Sequence, residues 1–139
     1  MTTFNKFNSF VEAVAEKVHN LQYDTLKVML TNSAPVATNT QKSNLTDISP
    51  GNGYTAGGTQ AVVSSSAQTS GTYKLVLADV VFTASGGSIG PFRYAVIYND
   101  TATNKELIGF YDYGSSITLN DGETFTVDFD GTNGVLTLA

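Results

Sequence analysis

The residues best suited to chemistry are scarce in this chain of 139 residues, which has one histidine and no cysteine. A zinc site built from His and Cys needs several such ligands. His19 comes at the end of an apolar pattern of helical spacing, where the helix dipole favours a positive charge without any catalytic role. The glycines of 51–58 are followed by neither the lysine nor the helix of a phosphate-binding loop. The inventory leaves a Ser/His/Asp triad open, but no G-x-S-x-G elbow is recognised among the many serines. We expect no catalytic role for His19, no metal site and no cofactor.

Two groups of acidic residues superficially resemble sites. Asp112 with Glu123 or Asp128 would suit glycoside hydrolysis at a separation of roughly 5 to 9 Å, but nothing in the sequence predicts that spacing. The segment 128–134 has acidic oxygens two residues apart, as a calcium loop does. Asn133 replaces the glycine that such a loop requires, and the distant glutamate is missing. We therefore expect these acidic residues to lie on solvated strands and in a turn. Their pattern favours a protein that is not an enzyme.

Composition sets further bounds on the function. Twelve acidic and seven basic residues give a net charge of −5, so the chain has no global field that would attract nucleic-acid phosphates. The start of the sequence lacks a basic segment followed by a continuous apolar run, which predicts neither a signal peptide nor a membrane span. The length fits a single domain over 1–139 that can fold around a hydrophobic core without disulfides or metal. We expect no nucleic-acid partner and no membrane partner.

One amphipathic α-helix is predicted near the start of the chain. Apolar residues recur there at intervals of three and four, which places them on one helical face: Phe7, Phe10, Val11, Val14, Val18 and Leu21. Ser9 with Glu12 forms a capping-box pattern at its start. Asn5 or Asn8 would start the helix one turn earlier, and it should end near Asn20. The apolar face is expected to pack on the protein's own sheet, or else its first residues reach a neighbouring subunit.

Strand signals dominate the rest of the chain. Thr25–Thr31 alternates apolar and polar residues as a half-buried strand does, and 61–69 fits an edge strand. The turns 120–122 and 130–134 predict hairpins, because Asn, Asp and Gly tolerate the positive φ of tight turns. We predict a mainly β fold, an antiparallel β-sandwich or jelly-roll-like barrel with one N-terminal helix. Beyond residue 72, β-branched and aromatic residues predict strands at Tyr73–Phe82, Phe92–Tyr98, Leu107–Tyr113, Ile117–Leu119, Glu123–Asp128 and Gly134–Leu138.

The segment Asn32–Gly58 shows little periodicity and contains Pro35 and Pro50. It exceeds ordinary loop lengths, which favours a functional excursion or a hidden short element around Leu45–Ile48. The single domain therefore divides into an N-terminal arm and helix (1–24), a first strand with a long loop region (25–71) and an antiparallel β scaffold (72–139).

Turn glycines and strand aromatics form four stretches that run through the chain: Gly53–Gly58, Arg93–Tyr98, Leu107–Gly114 and the ending F-T-V-D-F-D…G-V-L-T-L. Together with the opening helix and the strand around Val28, they resemble a family of small virion structural proteins from tailed bacteriophages, of the capsid decoration (cement) or head-fibre type. The resemblance spans nearly the whole chain. Its motifs identify the fold of the family more specifically than its function.

The resemblance implies a capsid decoration protein that binds the outer surface of the major capsid protein lattice and stabilises the head. Such a protein would be made in the host cytoplasm and act in the virion as a homo-oligomer. The N-terminal segment 1–10 and the excursion 32–58 are the expected clamps. The alternative is a tail- or fibre-associated module that binds a receptor or glycan. The candidate contact residues for the subunit or capsid interface are Phe4, Phe7, Pro35, Leu45, Tyr54, Tyr111 and Tyr113.

Overall fold

The computed structural model describes residues 2–139; Met1, which belongs to the expected clamp 1–10, lies outside the described residues. Every strand pairing within them is antiparallel, and the prediction of a mainly β, antiparallel fold is confirmed. In chain order the elements are β1 (Asn5–Lys6), α1 (Phe10–Ala15), β2 (Leu26–Thr31), a 3₁₀ turn (Lys42–Asn44), β3 (Thr59–Ala61), β4 (Val63–Thr69), β5 (Thr72–Leu77), β6 (Val80–Thr83), β7 (Ile89–Asn99), β8 (Leu107–Leu119), β9 (Thr124–Val127) and β10 (Leu136–Leu138).

The strands form three sheets. The largest has the order β1-β8-β7-β2-β3, the second has the order β10-β5-β4, and β6 pairs with β9. In the centre of the large sheet Val28 of β2 lies opposite Ile97 of β7, and Ala95 lies opposite Tyr111 of β8. The last strand, β10, pairs with β5, so that end of the chain is held in a sheet as predicted.

The helix forms but is much shorter than predicted. It spans six residues after Ser9, whose side chain makes no capping hydrogen bond within residues 2–139. Lys17 then adopts a φ of 66°, and the N–H of Val18 donates to the carbonyl of Ala13 at 2.9 Å. This closure with a left-handed residue ends the helix, so both the predicted capping box and the predicted length are wrong. No helix among residues 2–139 is long and apolar enough to cross a membrane.

The five-stranded sheet is covered on both faces. One face shares a core with α1 and the other two sheets, which includes Val28 of β2 and Leu75 of β5. On the opposite face Phe7 and Leu45 pack over a second cluster that includes Met29. Met29 is 0% exposed, so the prediction that β2 is half-buried is wrong. The sequence around β2 could not show this, because the covering residues come from the N-terminal segment and from the excursion.

Two predicted hairpins are wrong although their turns form. Gly122 and Gly134 have φ values of 87° and 82°, as tight turns of this kind allow. The strands on either side nevertheless do not pair, since β8 pairs with β7 and β1, β9 with β6, and β10 with β5. The chain crosses between sheets at both turns. A tight hairpin instead joins β4 to β5 through Ser70 and Gly71, whose φ values of 51° and 85° fit a type I′ turn.

Two strand boundaries also differ from the prediction. The predicted strand Tyr73–Phe82 is divided into β5 and β6, which belong to different sheets. Asp79 lies at the break, and its carboxylate accepts the N–H of Phe129 at 2.9 Å. The separately predicted strands Leu107–Tyr113 and Ile117–Leu119 are one continuous strand, β8.

The excursion 32–58 is folded onto the body of the protein. The N–H of Ile48 donates to the carbonyl of Leu30 at 3.3 Å, and the N–H of Leu107 donates to that of Thr40 at 3.0 Å. Its 3₁₀ turn lies just before the predicted hidden element at Leu45–Ile48. The excursion therefore packs on two sides of the large sheet: Leu45 covers its second face, whereas Tyr54 lies in the core of the first face against Phe82.

Candidate functional site

Four of the seven candidate contact residues are buried within the chain's own core: Phe7, Leu45, Tyr54 and Tyr111. The ring of Phe7 is 0% exposed and lies 5.2 Å from the ring of Phe110. Tyr111 packs against Phe129 with ring centroids 6.0 Å apart. These four side chains serve the fold, so a direct contact between them and a partner does not fit the structure. Phe7 and Leu45 cover the second face of the large sheet, and Tyr54 and Tyr111 belong to the core of its first face.

The other three candidates, Phe4, Pro35 and Tyr113, are half-buried. The ring of Phe4 lies on Gly109, where an added Cβ would come within 2.3 Å of it. Tyr113 packs edge-on against Phe125 at 4.8 Å, and burial, with the charge of Asp128, raises its pKa to about 12. Contact between any of these three residues and a partner stays a prediction.

Asn99 is the centre of a buried polar cluster at the end of β7. Its side chain is 0% exposed, and its Nδ2 donates to the carboxylate of Asp24 at 2.7 Å and to Nδ1 of His19 at 3.0 Å. Its Oδ1 accepts the backbone N–H groups of Thr101 and Ala102 at 3.0 and 3.2 Å. One side chain thus ties the segment that follows α1 to the turn between β7 and β8.

His19 is packed as a structural residue. Its ring is 7% exposed and stacks on Phe10 at 5.5 Å. Since Nδ1 accepts from Asn99, the proton of the neutral ring is on Nε2, which has no hydrogen-bond partner among residues 2–139. Burial lowers the pKa of His19 from its ordinary value, although the charges of Glu106 and Asp24 oppose this. The ring is therefore held neutral between an aromatic face and an amide.

Ser88 stands in a G-x-S-x-G sequence, 86–90, a signal missing from the sequence interpretation above. In α/β-hydrolases this pattern places a nucleophile where a strand turns into a helix. Here it leads into β7, and the carbonyl of Ser88 accepts a hydrogen bond from Nδ2 of Asn52 at 3.0 Å. No hydrogen bond among the described residues joins Ser88 to His19. The motif occurs here in a turn of a different kind.

The acidic residues considered as sites are used in other ways. Asp112 binds Arg93 through two hydrogen bonds, from Nε at 2.8 Å and from Nη2 at 3.1 Å, and these bonds lower the pKa of Asp112. Asp130, in the segment that resembles a calcium loop, accepts the N–H of Asn133 at 2.8 Å and so closes a turn. Residues 2–139 contain no group of three or more His, Asp or Glu side chains placed to hold a metal ion.

Tyr54 fastens the end of the excursion to the large sheet. Its hydroxyl donates to the carboxylate of Asp47 at 2.5 Å and accepts the N–H of Leu30 at 3.1 Å. Asp47 also accepts the N–H of Gly57 at 2.7 Å, and the hydroxyl of Tyr98 donates to the carbonyl of Gly57 at 2.5 Å. Burial, followed by the hydrogen bond to Asp47, raises the pKa of Tyr54 above its ordinary range. The tyrosine therefore stays protonated and acts as a structural tie.

Three of the seven basic residues converge at one end of the large sheet: Lys27, Lys42 and Lys105, which we call the lysine patch. Lys27 and Lys105 bind the two carboxylate oxygens of Asp100 at 3.3 and 3.0 Å. Nζ of Lys42 lies 5.8 Å from the ring centroid of Tyr98. Burial would raise the pKa of Asp100, but the hydrogen bonds from Lys105 and Lys27 lower it. The patch surrounds a hollow of about 230 Å³.

A groove of about 350 Å³ lies between the segment after α1 and the three-stranded sheet. Tyr73, Ser66 and Leu138 line it from the sheet, and His19 and Gln22 line it from the other side. The hydroxyl of Tyr73 lies 2.7 Å from Oγ of Ser66. A concave surface with an aromatic ring and a few polar groups is typical of small-ligand sites.

Comparison of the chain with protein-family models, curated proteins and solved structures finds no match. Function is therefore inferred from the residues themselves. The His19 and Asp47 clusters hold segments of the fold together, and each also borders a concave surface: His19 lines the groove, and Asp47 lines the hollow of the lysine patch. Sequence reasoning missed the patch because its three lysines are far apart along the chain, and only the pairing of β2 with β7 and the fold of the excursion bring them together.

Proposed function

We propose that this chain is a non-enzymatic structural protein of a tailed-bacteriophage virion, which binds the outer surface of the major capsid protein lattice and stabilises the head. The sequence resemblance supports this role. The buried placement of the histidine and of the Tyr54–Asp47 pair also supports it, because these groups are used to hold the fold together. A protein with this task needs a rigid body and an attachment surface.

We infer that the rigid body is a two-layer sandwich. Side chains from both layers belong to one buried cluster, in which Val28 and Ile97 of the large sheet join Leu75, Phe82 and Val127 of the smaller sheets. Facing sheets that share an apolar core are the usual arrangement of antiparallel β proteins. The part of the excursion around Leu45 then lies outside this sandwich, on the second face of the large sheet, whereas Tyr54 belongs to the core between the layers.

The lysine patch is the observation that carries the attachment surface. The chain has a net charge of −5, so the approach of an acidic protein surface is favoured where the basic groups gather. The patch is also preorganised, since the backbone N–H of Lys42 donates to the carbonyl of Lys105 at 3.0 Å and Asp100 holds two of the ammonium groups. Preorganised groups lose less freedom on binding. Weak contacts repeated over a lattice add up through effective concentration.

Charge reversal in the patch tests this proposal. Heads of a phage that encodes the chain would be stripped of the protein and mixed with purified variants, and bound protein would be measured by co-sedimentation. Lys42→Glu leaves both ion pairs of Asp100 in place and should weaken binding about tenfold at low salt. Lys74→Glu is the matched control, because it changes the net charge equally on the three-stranded sheet. Binding of the wild-type chain should weaken as salt is added.

Two outcomes would count against the proposal in different ways. If Lys42→Glu and Lys74→Glu bind heads as tightly as the wild-type chain, the lysine patch is not the attachment surface. If the wild-type chain itself does not bind heads, and labelling with gold-tagged antibody places it elsewhere or nowhere on the particle, the decoration role is wrong.

The groove supports a second candidate function, a tail- or fibre-associated module that binds a receptor or glycan. Sugars bind in shallow grooves against aromatic rings flanked by polar groups, and Tyr73 with Ser66 and Gln22 supplies such groups here. Titration of the chain with an array of host-surface glycans, monitored by tyrosine fluorescence or by NMR shifts of Tyr73, tests this function. Binding that is lost in Tyr73→Ala and kept in Tyr23→Ala would favour it over the decoration role.

A further inference from the structure

The strand β4 is the longest strand that lies at a sheet edge within residues 2–139. In the order β10-β5-β4 it pairs with β5 alone. The edges of the large sheet are β1 and β3, of two and three residues. Five of the seven residues of β4 are exposed. A long exposed edge presents a row of backbone groups that can pair with another strand.

The register with β5 shows which backbone groups of β4 point outward. The two-residue turn at Ser70 and Gly71 makes Thr69 and Thr72 a hydrogen-bonded pair. Pairs alternate along an antiparallel ladder, so Ser66 and Gln68 lie opposite Leu75 and Tyr73 in pairs that exchange no backbone hydrogen bonds. The N–H and C=O groups of Ser66 and Gln68 therefore face away from the sheet.

This edge lacks the features that usually prevent strand pairing. Natural edge strands are protected by charged side chains, by proline or by bulges. Residues 48–73 contain no charged residue, and β4 contains no proline. The irregularity between Val63 and Ser65 protects only the first part of the strand. Beyond it, 65–69 is a regular strand with neutral side chains that are small except for Gln68, and small side chains let a second backbone approach closely.

We propose that two copies of this chain associate through β4, antiparallel and about a two-fold axis at Ala67. The axis follows from the backbone, because centring the pairing on Ala67 places Ser66 opposite Gln68 of the second copy. Both outward-facing residues of each copy are then used, for about four hydrogen bonds in total. A pairing centred further toward Ser64 would run into the irregularity. An edge used in this way is closed, so the assembly stops at two copies.

Charge favours a second copy at this edge over other surfaces of the chain. Two chains with a net charge of −5 repel each other, and the charge-free segment 48–73 is where they approach with the least repulsion. Self-association should therefore strengthen with added salt, whereas binding through the lysine patch should weaken. The inference does not depend on the proposed capsid role, since it concerns the purified chain alone.

Disulfide trapping tests the pairing and its register, because the chain has no cysteine of its own. Ala67→Cys places two thiols in a pair that shares no hydrogen bonds at the new interface, with Cβ atoms about 4.5–5.5 Å apart. Ser65→Cys is the matched control on the same face of the same strand. It would lie opposite Thr69 of the second copy, too far from its own counterpart for a disulfide. Each variant would be oxidised in a glutathione buffer and the dimer measured on a non-reducing gel.

We expect Ala67→Cys to form disulfide dimer at least about tenfold faster than Ser65→Cys, given the distance limits of the bond. Adding Gln68→Pro to Ala67→Cys should abolish the difference, because proline removes an outward N–H that the pairing with β5 does not use. Thermal unfolding would confirm that this double variant still folds. Equal rates for the two cysteine variants, or a rate for Ala67→Cys that proline does not change, would overturn the inference and leave the edge to a different partner or to solvent.

Discussion

The side-chain amide nitrogen of Asn99 lies 3.0 Å from Nδ1 of His19 in the interior of the protein. The same nitrogen donates to Asp24 at 2.7 Å. A single amide therefore joins the end of β7 to the segment that follows α1, and it fixes the tautomer of the one histidine of the chain. The cluster therefore stabilises the fold, and two predictions about stability follow from its contacts.

The first prediction concerns Asn99 itself. Asn99→Leu keeps the size of the side chain but leaves the carboxylate of Asp24 and the N–H groups of Thr101 and Ala102 without this partner. Unsatisfied buried polar groups are costly, so the free energy of unfolding should decrease by about 3 kcal/mol. Asn104→Leu, at an exposed position in the same turn, should change the free energy by less than about 0.5 kcal/mol. Urea unfolding of both variants measures the difference, and similar values would contradict the role given to Asn99.

The second prediction concerns pH. Burial lowers the pKa of His19 in the folded chain, so the unfolded chain takes up a proton first as the pH falls. Stability is therefore complete above the ordinary histidine pKa of about 6.5 and is lost as the pH falls below it toward the folded value. The midpoint of urea unfolding should decrease from pH 7.5 to pH 5.

His19→Gln is the variant that isolates this effect. The chain has no second histidine and no cysteine that could titrate in that range. Carboxylates titrate mainly below it. The variant should be less stable at pH 7.5, where it loses the contacts of the ring, but its midpoint should vary little between pH 7.5 and pH 5. A wild-type midpoint that does not move over this range would show that His19 gains its proton as easily when folded as when unfolded.

The mainly β, antiparallel character of the fold followed from the sequence because strand patterns are local. The runs that became β7 and β8 were found from their β-branched and aromatic residues alone, and β2 was placed from its alternation. The presence of turns at Gly122 and Gly134 was also predicted, because positive φ is a property of single residues. The partner of each strand was not found. Pairing depends on contacts between residues distant in the chain, so two turns that favour hairpins instead connect different sheets.

The candidate site was harder to predict for the same reason. Phe7 and Leu45 were expected at an interface because nothing near them in the sequence shows what they cover. The structure buries both against the second face of the large sheet. The lysine patch left no signal, since Lys27, Lys42 and Lys105 meet only after the excursion has folded. The sequence shows which residues are apolar or charged, but not which surface of the folded protein each of them occupies.

The third prediction tests whether the N-terminal segment is part of the folded core or a free arm that contacts a partner. Phe7 is 0% exposed in the second cluster, whereas Val11 of α1 is 48% exposed. Phe7→Ala should destabilise the chain by about 3–5 kcal/mol through the cavity that it leaves, and Val11→Ala by less than about 0.5 kcal/mol. Deletion of residues 1–8 should destabilise it as well, because this removes Phe7 and β1. A truncated chain with unchanged stability in urea would show that the segment is a free arm.

The fourth prediction concerns the close approach of the excursion to β2 at Gly58. An added Cβ there would lie 1.8 Å from the carbonyl oxygen of Val28 and 2.9 Å from Cα of Met29. These are backbone atoms of a central strand, which cannot move aside as a flexible side chain would. Gly58 also has a φ of 87°, so Gly58→Ala meets both conformational strain and a clash.

Gly71→Ala is the matched control for this position, because Gly71 has a φ of 85° but nothing within 4 Å of an added Cβ. Its cost should be that of the left-handed conformation alone, about 1–2 kcal/mol. Gly58→Ala should cost clearly more, and its near-ultraviolet circular dichroism should change because Tyr54 and Tyr98 hold the neighbouring segment. If the two variants unfold at the same urea concentration, the excursion has room to move away from β2 and is not the fixed part of the fold that positions the lysine patch.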